Sequence, residues 1–541
     1  MSTKNTESYI GLNIGNYNSV IAVLSAEKGV VDVIANEDGD HKTPTYLAFA
    51  DSELYSGTQA KHQSIYNHSN TIVGFLETLG KGPEASPALA DFFCKFTKGD
   101  DGSSHYLIAE QDGSQSKYSS YQILVKFLTQ LKNTASQNLG CKIDGAVLSL
   151  HSSWSQEQVS LFTQACKEAD LPVLQLIDET SAAILATDLL DSASDDNVIV
   201  VNVGATKTDL SLVNVRLGLE LPVAKASTEE FSGEKVDNVL MSFFADEFKR
   251  SSSIDVIANN KNRELLKLKY GVETTKHTIS NARTNSASVP CTIESLSNGF
   301  DFNSKITKLR FEMLCNRFAP VLEKHLLDLL QKSKYSPLEI SKVLFVGGSA
   351  EVSQKLISKI MSMFPNATKV EHDHSADEMI AVGCANQAHL IHIAETVFDQ
   401  SSPSSNSIEN IKVLASPVGL KLSEDSMITV LSKNTPLPAV RDIFVNLPKD
   451  LGSTAYFAIC EGKPNVMPPQ PEESEEDDDD VAEPVIPAAY SPSNLLAEFS
   501  LDLPESTKDK KIKLSFHIDI NQKLTVTAKD TSSNTSSSIE I

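Results

Sequence analysis

One short pattern occurs twice in this chain, about 190 residues apart, and it restricts what the chain can fold into more than any other feature. The first copy reads Tyr9-Ile10-Gly11-Leu12-Asn13-Ile14-Gly15-Asn16-Tyr17-Asn18-Ser19, the second Val198-Ile199-Val200-Val201-Asn202-Val203-Gly204-Ala205-Thr206-Lys207-Thr208-Asp209. Each is an apolar strand with an asparagine near its end, then a glycine where the backbone turns sharply. Such turns aim backbone N–H groups at an anion, so two of them predict a two-lobed cleft that grips phosphates. A metal-assisted phosphoryl site also needs an anionic oxygen in the strand, to hold a metal or its waters. Asn13 and Asn202 place a neutral amide there in both copies. The pattern predicts a nucleotide-binding cleft that has lost its hydrolytic parts.

A chain of 541 residues exceeds one hydrophobic core and predicts two or three domains. No apolar run approaches the roughly 18–20 residues of a membrane helix, and Met1-Ser2-Thr3-Lys4-Asn5-Thr6-Glu7 has no secretory core, which predicts a cytosolic protein without membrane contact. Cys94, Cys141, Cys166, Cys291, Cys315, Cys384 and Cys460 are scattered without C-x-x-C spacing, so buried reduced thiols are expected rather than disulfides or zinc. The formal net charge of −24 repels phosphate backbones, which argues against direct nucleic-acid binding and favours a basic protein partner. Glu472-Glu473-Ser474-Glu475-Glu476-Asp477-Asp478-Asp479-Asp480 alone supplies eight of the negative charges.

Alternating strands and helices predict α/β layers up to about residue 395. In a first lobe, about 9–190, Gly29 and Asp38-Gly39 are turn signals. Ser155 with Gln158 forms a capping box ahead of Val159, Phe162, Cys166 and Ala169, and the strand Val173–Ile177 leads through Asp178-Glu179 into a helix with Ala182 and Ala183. A second lobe, about 195–395, has Val236, Val239, Leu240, Phe243, Phe244 and Phe248 on one helical face. Met313, Leu314, Phe318, Val321 and Leu322 form another helical stretch, and strand Val343–Val346 runs into Gly347-Gly348-Ser349 with a helix opening after Ala350. A polar linker, 396–411, precedes a region, 412–541, of short strands without helix, where Ser515–Ile520 and Leu524–Ala528 flank the turn Asn521-Gln522 as a hairpin. The segment from Pro468 to Pro487 is too acidic and Pro-rich to bury a core, and disorder is expected there over about 468–487.

Taken in order, the first loop, Ile177-Asp178-Glu179-Thr180-Ser181-Ala182-Ala183, the second loop, Val346-Gly347-Gly348-Ser349, the hinge and the β-rich tail resemble the seventy-kilodalton heat-shock chaperones, the DnaK-like family, over about 9–541. The resemblance implies an α/β actin-like two-lobed ATPase domain followed by a β-sandwich of the substrate-binding type. A helical lid follows the sandwich in that family, and none is expected here. Lidless, acid-inserted members with eroded catalytic residues are similar to the Ssz-type subunit that pairs with zuotin, a J-domain protein, on ribosomes.

Against the family pattern, Asn13 and Asn202 stand for aspartates, Asn16-Tyr17 for two threonines, and Gly204-Ala205-Thr206 for three glycines. Leu76 falls on the catalytic lysine and Glu77 on the neighbouring basic position; a leucine cannot balance charge developing on a phosphate. Losing one such contributor costs about 10²–10³ in rate. The nucleotide contacts that the resemblance assigns to this chain are Gly15, Asn16, Tyr17, Glu179, Asn202, Gly204, Ala205, Gly233, Glu273, Lys276, Ser280, Gly347, Gly348, Ser349 and Asp377, with no catalytic residue and no metal ligand. Glu179 keeps the family's glutamate that holds a metal-bound water, while Glu351 replaces an arginine beside the adenine. His151 and Val159 replace a proline and an arginine of the interdomain relay, and Ile411-Lys412-Val413-Leu414 lacks the usual flanking acids, so domains docked in one state are expected. No chemistry is assigned to His151, and His372-Asp373-His374 is read as a solvated loop rather than a metal cluster. The acidic run is either a solvated loop or a contact for a basic partner segment, and Ser474 suits an acid-directed kinase.

These readings imply ATP held structurally, with magnesium weak or absent. They imply a stable heterodimer with a zuotin-like J-protein, ribosome contact through that partner, stimulation of an active ribosome-bound chaperone, and nascent polypeptide as a further candidate partner. An ATP-hydrolysing chaperone acting on its own substrates and a nucleotide-exchange factor are the alternatives.

Overall fold

The computed structural model describes residues 8–25, 30–50, 53–82, 92–99, 102–110, 112–190, 195–216, 218–397, 412–447, 453–465, 488–503, 511–519, 521–531 and 535–541. Gly29, the hinge up to Ile411 and the acidic segment from Pro468 to Pro487 lie outside them.

The two copies of the repeated pattern become the central strands of two sheets with one topology. Tyr9–Ile14 pairs antiparallel with Asn18–Ser25, which pairs antiparallel with Val30–Val33. On its other side it pairs parallel with Gly145–Leu150, which pairs parallel with Val173–Asp178. In the second sheet Asp196–Val203 pairs antiparallel with Thr208–Arg216, which pairs antiparallel with Leu219–Thr228. Its other side pairs parallel with Lys342–Val346, itself parallel to Thr368–Lys369. The parallel strands need crossovers, and helices supply them. Helix Gln156–Glu168 starts on the Ser155–Gln158 capping box, and Asp178 caps helix Glu179–Leu185 by accepting from Thr180 N.

Separate apolar cores fill the two lobes, and a third cluster that includes Val147, Val200, Leu344 and Cys384 joins the two sheets. The helix Met379–Val397 closes that junction. At Gly383 a Cβ atom would lie 1.7 Å from Ala182 O, so only glycine lets this helix approach Glu179–Leu185 so closely. All seven cysteines are free thiols, six buried and Cys141 half-buried.

Two local expectations change. The helix expected after Ala350 begins at Gln354, capped by Ser353, because residues 347–353 form a turn instead. The stretch Met313–Leu322 is two helices, Lys308–Asn316 and Ala319–Ser333, and Met313 is exposed. Pro320 in the first turn of the second helix has no N–H to continue a ladder from the first.

Beyond residue 412 the described residues form strands only. Two four-stranded sheets enclose one core, with Leu420, Phe457 and Leu501 from one facing Leu514, Phe516 and Val526 from the other. Lys511–Ile518 and Leu524–Asp530 form the expected hairpin. This sandwich docks against one end of the second sheet's central strands through a buried polar seam. Arg216, 1% exposed, donates to Asn197 Oδ1 and to Lys433 O; Asn434 Nδ2 donates to Asn214 Oδ1 at 2.8 Å; Tyr490 OH donates to Glu339 Oε1 at 2.5 Å. Burial beside Glu339 drives the Tyr490 phenol pKa upward, which keeps it a donor.

Candidate functional site

The repeated turns face one another across the junction of the lobes. Gly15 N donates to Asn18 O at 3.0 Å and Gly204 N to Lys207 O at 2.9 Å, so both copies make the same tight turn. Helix Gly233–Ser252 buttresses the second turn, with Gly233 N on Gly204 O and Glu234 N on Ala205 O. The first turn is held by side-chain bonds: Asn16 Nδ2 donates to Glu77 Oε1 within its own lobe and to Thr206 Oγ1 across to the other, and Lys269 Nζ donates across to Tyr17 OH at 2.6 Å.

A cavity of about 110 Å³ lies between the turns. Of the predicted contacts, Gly15, Asn16, Tyr17, Glu179, Asn202, Gly204, Ala205, Gly347, Gly348 and Asp377 line it. Gly233, Glu273, Lys276 and Ser349 line a neighbouring cavity of about 50 Å³ that shares Tyr17, Ala205 and Gly348. Ser280 lines neither: its hydroxyl donates to Lys276 O within its own helix, and helical spacing alone did not reveal that. Glu351 pairs with Lys369 at 2.8 Å. A third cavity, about 420 Å³, extends past the turns and is lined by Glu77, Lys81, Trp154 and Gln158 among others.

Gly347 shows why glycine is needed at the cavity floor: its φ is +100°, and a Cβ there would lie 2.6 Å from Asn202 Oδ1. At Gly348 a Cβ would meet nothing within 4 Å, so its backbone fronts open space that a ligand can enter. Asn16 Oδ1, Asp209 Oδ1 and Gln158 Nε2 are buried polar atoms without a hydrogen-bond partner in the protein, and all three belong to residues lining the cavities. Such atoms call for a polar ligand or water. The open glycine backbone at Gly348 fits a phosphate-bearing ligand, while the acceptors Asn16 Oδ1 and Asp209 Oδ1 call for a donor such as water.

At the smaller cavity, charges are closed into pairs. Lys61 Nζ lies 2.8 Å from Glu273 Oε2 and Lys276 Nζ lies 2.7 Å from Asp237 Oδ1. Burial would raise the Glu273 pKa, but Lys61 outweighs it and the carboxyl lies below its ordinary value. Asp377 is likewise pulled below the ordinary range, because pairing with Lys42 overcomes burial. Burial lowers the pKa of His277 beside Lys276. Because the lobes are bridged by Tyr17–Lys269 and Lys61–Glu273, the smaller cavity falls well below the roughly 300 Å³ a small-molecule pocket usually needs. A nucleotide enters only if those bridges part.

The region around Glu179 holds what the sequence reading missed. His151 Nδ1 lies 2.8 Å from Glu179 Oε1, and Nε2 lies 3.2 Å from Ile14 O. Both partners are acceptors, so this geometry favours the doubly protonated ring, in which both nitrogens donate. Burial works against that charge, yet the Glu179 carboxylate raises the His151 pKa overall. Asn202 Nδ2 donates to the other oxygen of Glu179 at 2.8 Å. Asn13 Oδ1 accepts from Ser149 Oγ at 2.9 Å. The substitution of a histidine for the family's proline was the available signal. Leu76 is buried, and burial raises the Glu77 carboxyl pKa. His372 Nδ1 contacts His374 O, and among the described residues no group of three His, Cys, Asp or Glu side chains is placed to hold a metal.

The comparisons agree with this architecture. The family described as Hsp70 protein matches residues 9–473. A heat shock protein 70 homolog of Schizosaccharomyces pombe is 30% identical, covering 97% of this chain and 94% of its own. The ribosome-associated complex subunit SSZ1 of Saccharomyces cerevisiae is 28% identical over 88% of each chain. Heat shock 70 kDa protein 14 of Danio rerio is 30% identical, covering 82% of this chain and 86% of its own. With the family matched across both lobes and into the β-rich region, and with two equivalent sheets framing one glycine-lined cleft, this chain belongs to the Hsp70 family.

Proposed function

We propose that this protein binds ATP without useful turnover and acts as a non-cycling co-factor of a ribosome-associated J-protein. The observation that carries this reading is the bonding of Glu179. One oxygen faces the His151 ring and the other accepts from the Asn202 amide, so both are already engaged by donors where the water of a catalytic metal would be held, and each keeps only one lone pair for it. Bound divalent metal would neutralise phosphate charge and orient the attacking water. Here Asn13 and Asn202 lack the charge to hold it, and Leu76 offers no cation in its place. The remaining parts of the cleft hold rather than cut: glycine backbones front the cavity and ion pairs fix its adenosine side.

The buried seam supports a single docked arrangement of the two domains, which we place at about 9–395 and 412–541. Separating it would expose Arg216 and Asn434 and break bonds made only to the second lobe. A zuotin-like J-protein is the proposed stable partner, consistent with similarity to SSZ1, a ribosome-associated complex subunit. The cytosolic ribosome would then be reached through that partner, since a chain of net charge −24 repels RNA. Strand edges of the sandwich offer a place for a partner segment to add a strand. The test is co-expression with a J-protein of this type. Recovery as a one-to-one complex that stimulates ATP cleavage by a second, active chaperone supports the reading. Recovery as a free monomer that refolds substrates in an ATP-driven cycle overturns it.

A further inference from the structure

We propose that Lys207, rather than a divalent cation, neutralises the terminal phosphate of the bound nucleotide. The inference rests on the reading that this cleft takes ATP, and concerns how the far end of that ligand is held.

The three cavities lie in sequence. The adenosine-side and central cavities share Tyr17, Asn18, Ala205, His277 and Gly348. The central and far cavities share Asn16, His151, Thr206 and Lys207. A nucleotide whose base lies beside Glu273 and Lys276 therefore directs its phosphates toward the group that includes Lys207. The tight turn closed by Gly204 N and Lys207 O fixes where this side chain starts. Its ammonium lies 2.6 Å from Ser153 Oγ and 3.4 Å from Asp209 Oδ2. Lysine carries three N–H donors, and these contacts take two of them. The third is free for a phosphate oxygen, and lysine binds phosphate as a point charge.

A metal fits poorly at the same place. The Asn13 oxygen is engaged by Ser149, the Asn202 amide points its N–H₂ at Glu179, and Glu179 is held on both oxygens. Asp209 is the nearest remaining carboxylate in the turn, and Lys207 covers one of its oxygens while the other is buried without a partner. Lys207 thus does two things: it meets the phosphate and it shields the phosphate from Asp209. Removing it should expose that carboxylate to the nucleotide, so that a divalent cation becomes necessary for tight binding.

The chain's one tryptophan, Trp154, packs edge-on against His151 and lines the far cavity, which provides an intrinsic fluorescence probe. The experiment titrates the full chain with ATP and with ADP, each in EDTA and in excess Mg²⁺, for wild type, Lys207→Ala and Lys207→Arg. Thermal unfolding without nucleotide confirms that each variant is folded. Wild type should bind ATP within about threefold equally in EDTA and Mg²⁺; Lys207→Ala should lose about tenfold or more for ATP in EDTA, less for ADP, with partial recovery in Mg²⁺. Lys207→Arg should retain most of the affinity. Wild-type ATP binding that collapses in EDTA, or Lys207→Ala binding like wild type, overturns this inference and leaves the nucleotide-binding reading standing. Failure of wild type to bind ATP in either buffer overturns both.

Discussion

The two glycine turns share a backbone and differ in what they carry. Asn13 pairs with Val20 and Ile14 with Ser19 in the first; Asn202 pairs with Asp209 and Val203 with Thr208 in the second, in the same register. At equivalent places the first presents Asn18 and Val20 and the second Lys207 and Asp209. The first turn is neutral and clamped by residues from distant elements, His151 below Ile14 O and Lys269 on Tyr17. The second carries charge and rests on the first turn of a helix. Main-chain hydrogen bonding can keep a turn through large changes in side chain, while the chemistry at the turn is free to drift.

The largest effect should come from the wall behind the second turn. The Lys276–Asp237 pair is over nine-tenths buried on both sides, so Asp237→Ala leaves an uncompensated ammonium and should cost about 3–5 kcal/mol in chemical denaturation. Replacing both by apolar residues should cost far less, because the desolvation of both charges is then avoided. If Asp237→Ala is no worse than the double replacement, the buttress is not electrostatic.

His151 is the corresponding clamp on the first turn. His151→Ala removes two hydrogen bonds around a charged group and should cost about 1.5–3 kcal/mol. Because the His151 pKa is raised in the folded state, its contribution is complete below its unfolded value of about 6.5 and fades as pH rises through the higher folded value. Denaturation midpoints in urea from pH 6 to pH 9 should therefore fall more steeply for wild type than for His151→Ala. Parallel curves would mean that the ring carries no extra proton.

A sharper comparison uses the turn glycines themselves. A Cβ at Gly15 would lie 2.7 Å from Asn18 O, and one at Gly204 would lie 3.1 Å from Lys207 O. Gly15→Ala should destabilise by about 1–2 kcal/mol and Gly204→Ala by about half that, read from the same denaturation curves. The reverse order would show that the carbonyl contact does not set the cost at these turns. An effect of similar size is expected from Tyr17→Phe, which deletes the hydrogen bond from Lys269 for about 1 kcal/mol and loosens a bridge between the lobes. Stopped-flow Trp154 fluorescence should then show faster nucleotide entry.

Local chemistry made much of this molecule readable from the chain. The turns, the Ser155–Gln158 capping box, the caps around Asp178 and the Lys511–Asp530 hairpin all follow from residues within a few positions of each other. The site's bonding pattern did not follow, because its partners are far apart in sequence: Asn16 with Thr206, Tyr17 with Lys269, Lys61 with Glu273. Lys207 was in plain view inside the repeat, but its charge reads as an ordinary surface residue until the fold sets it between two cavities. Ser280 shows the opposite case. Helical spacing places it near Lys276, while its hydroxyl turns back onto the helix backbone, as serine commonly does. The Pro320 break was visible as a proline, yet the apolar spacing across it still suggested one continuous helix.

The most direct test is a single-turnover assay on purified protein loaded with radiolabelled ATP in excess Mg²⁺. The account predicts that ATP is recovered intact over the time in which an active Hsp70 cleaves its own, with or without a J-domain. Brisk release of phosphate by this sequence would contradict it.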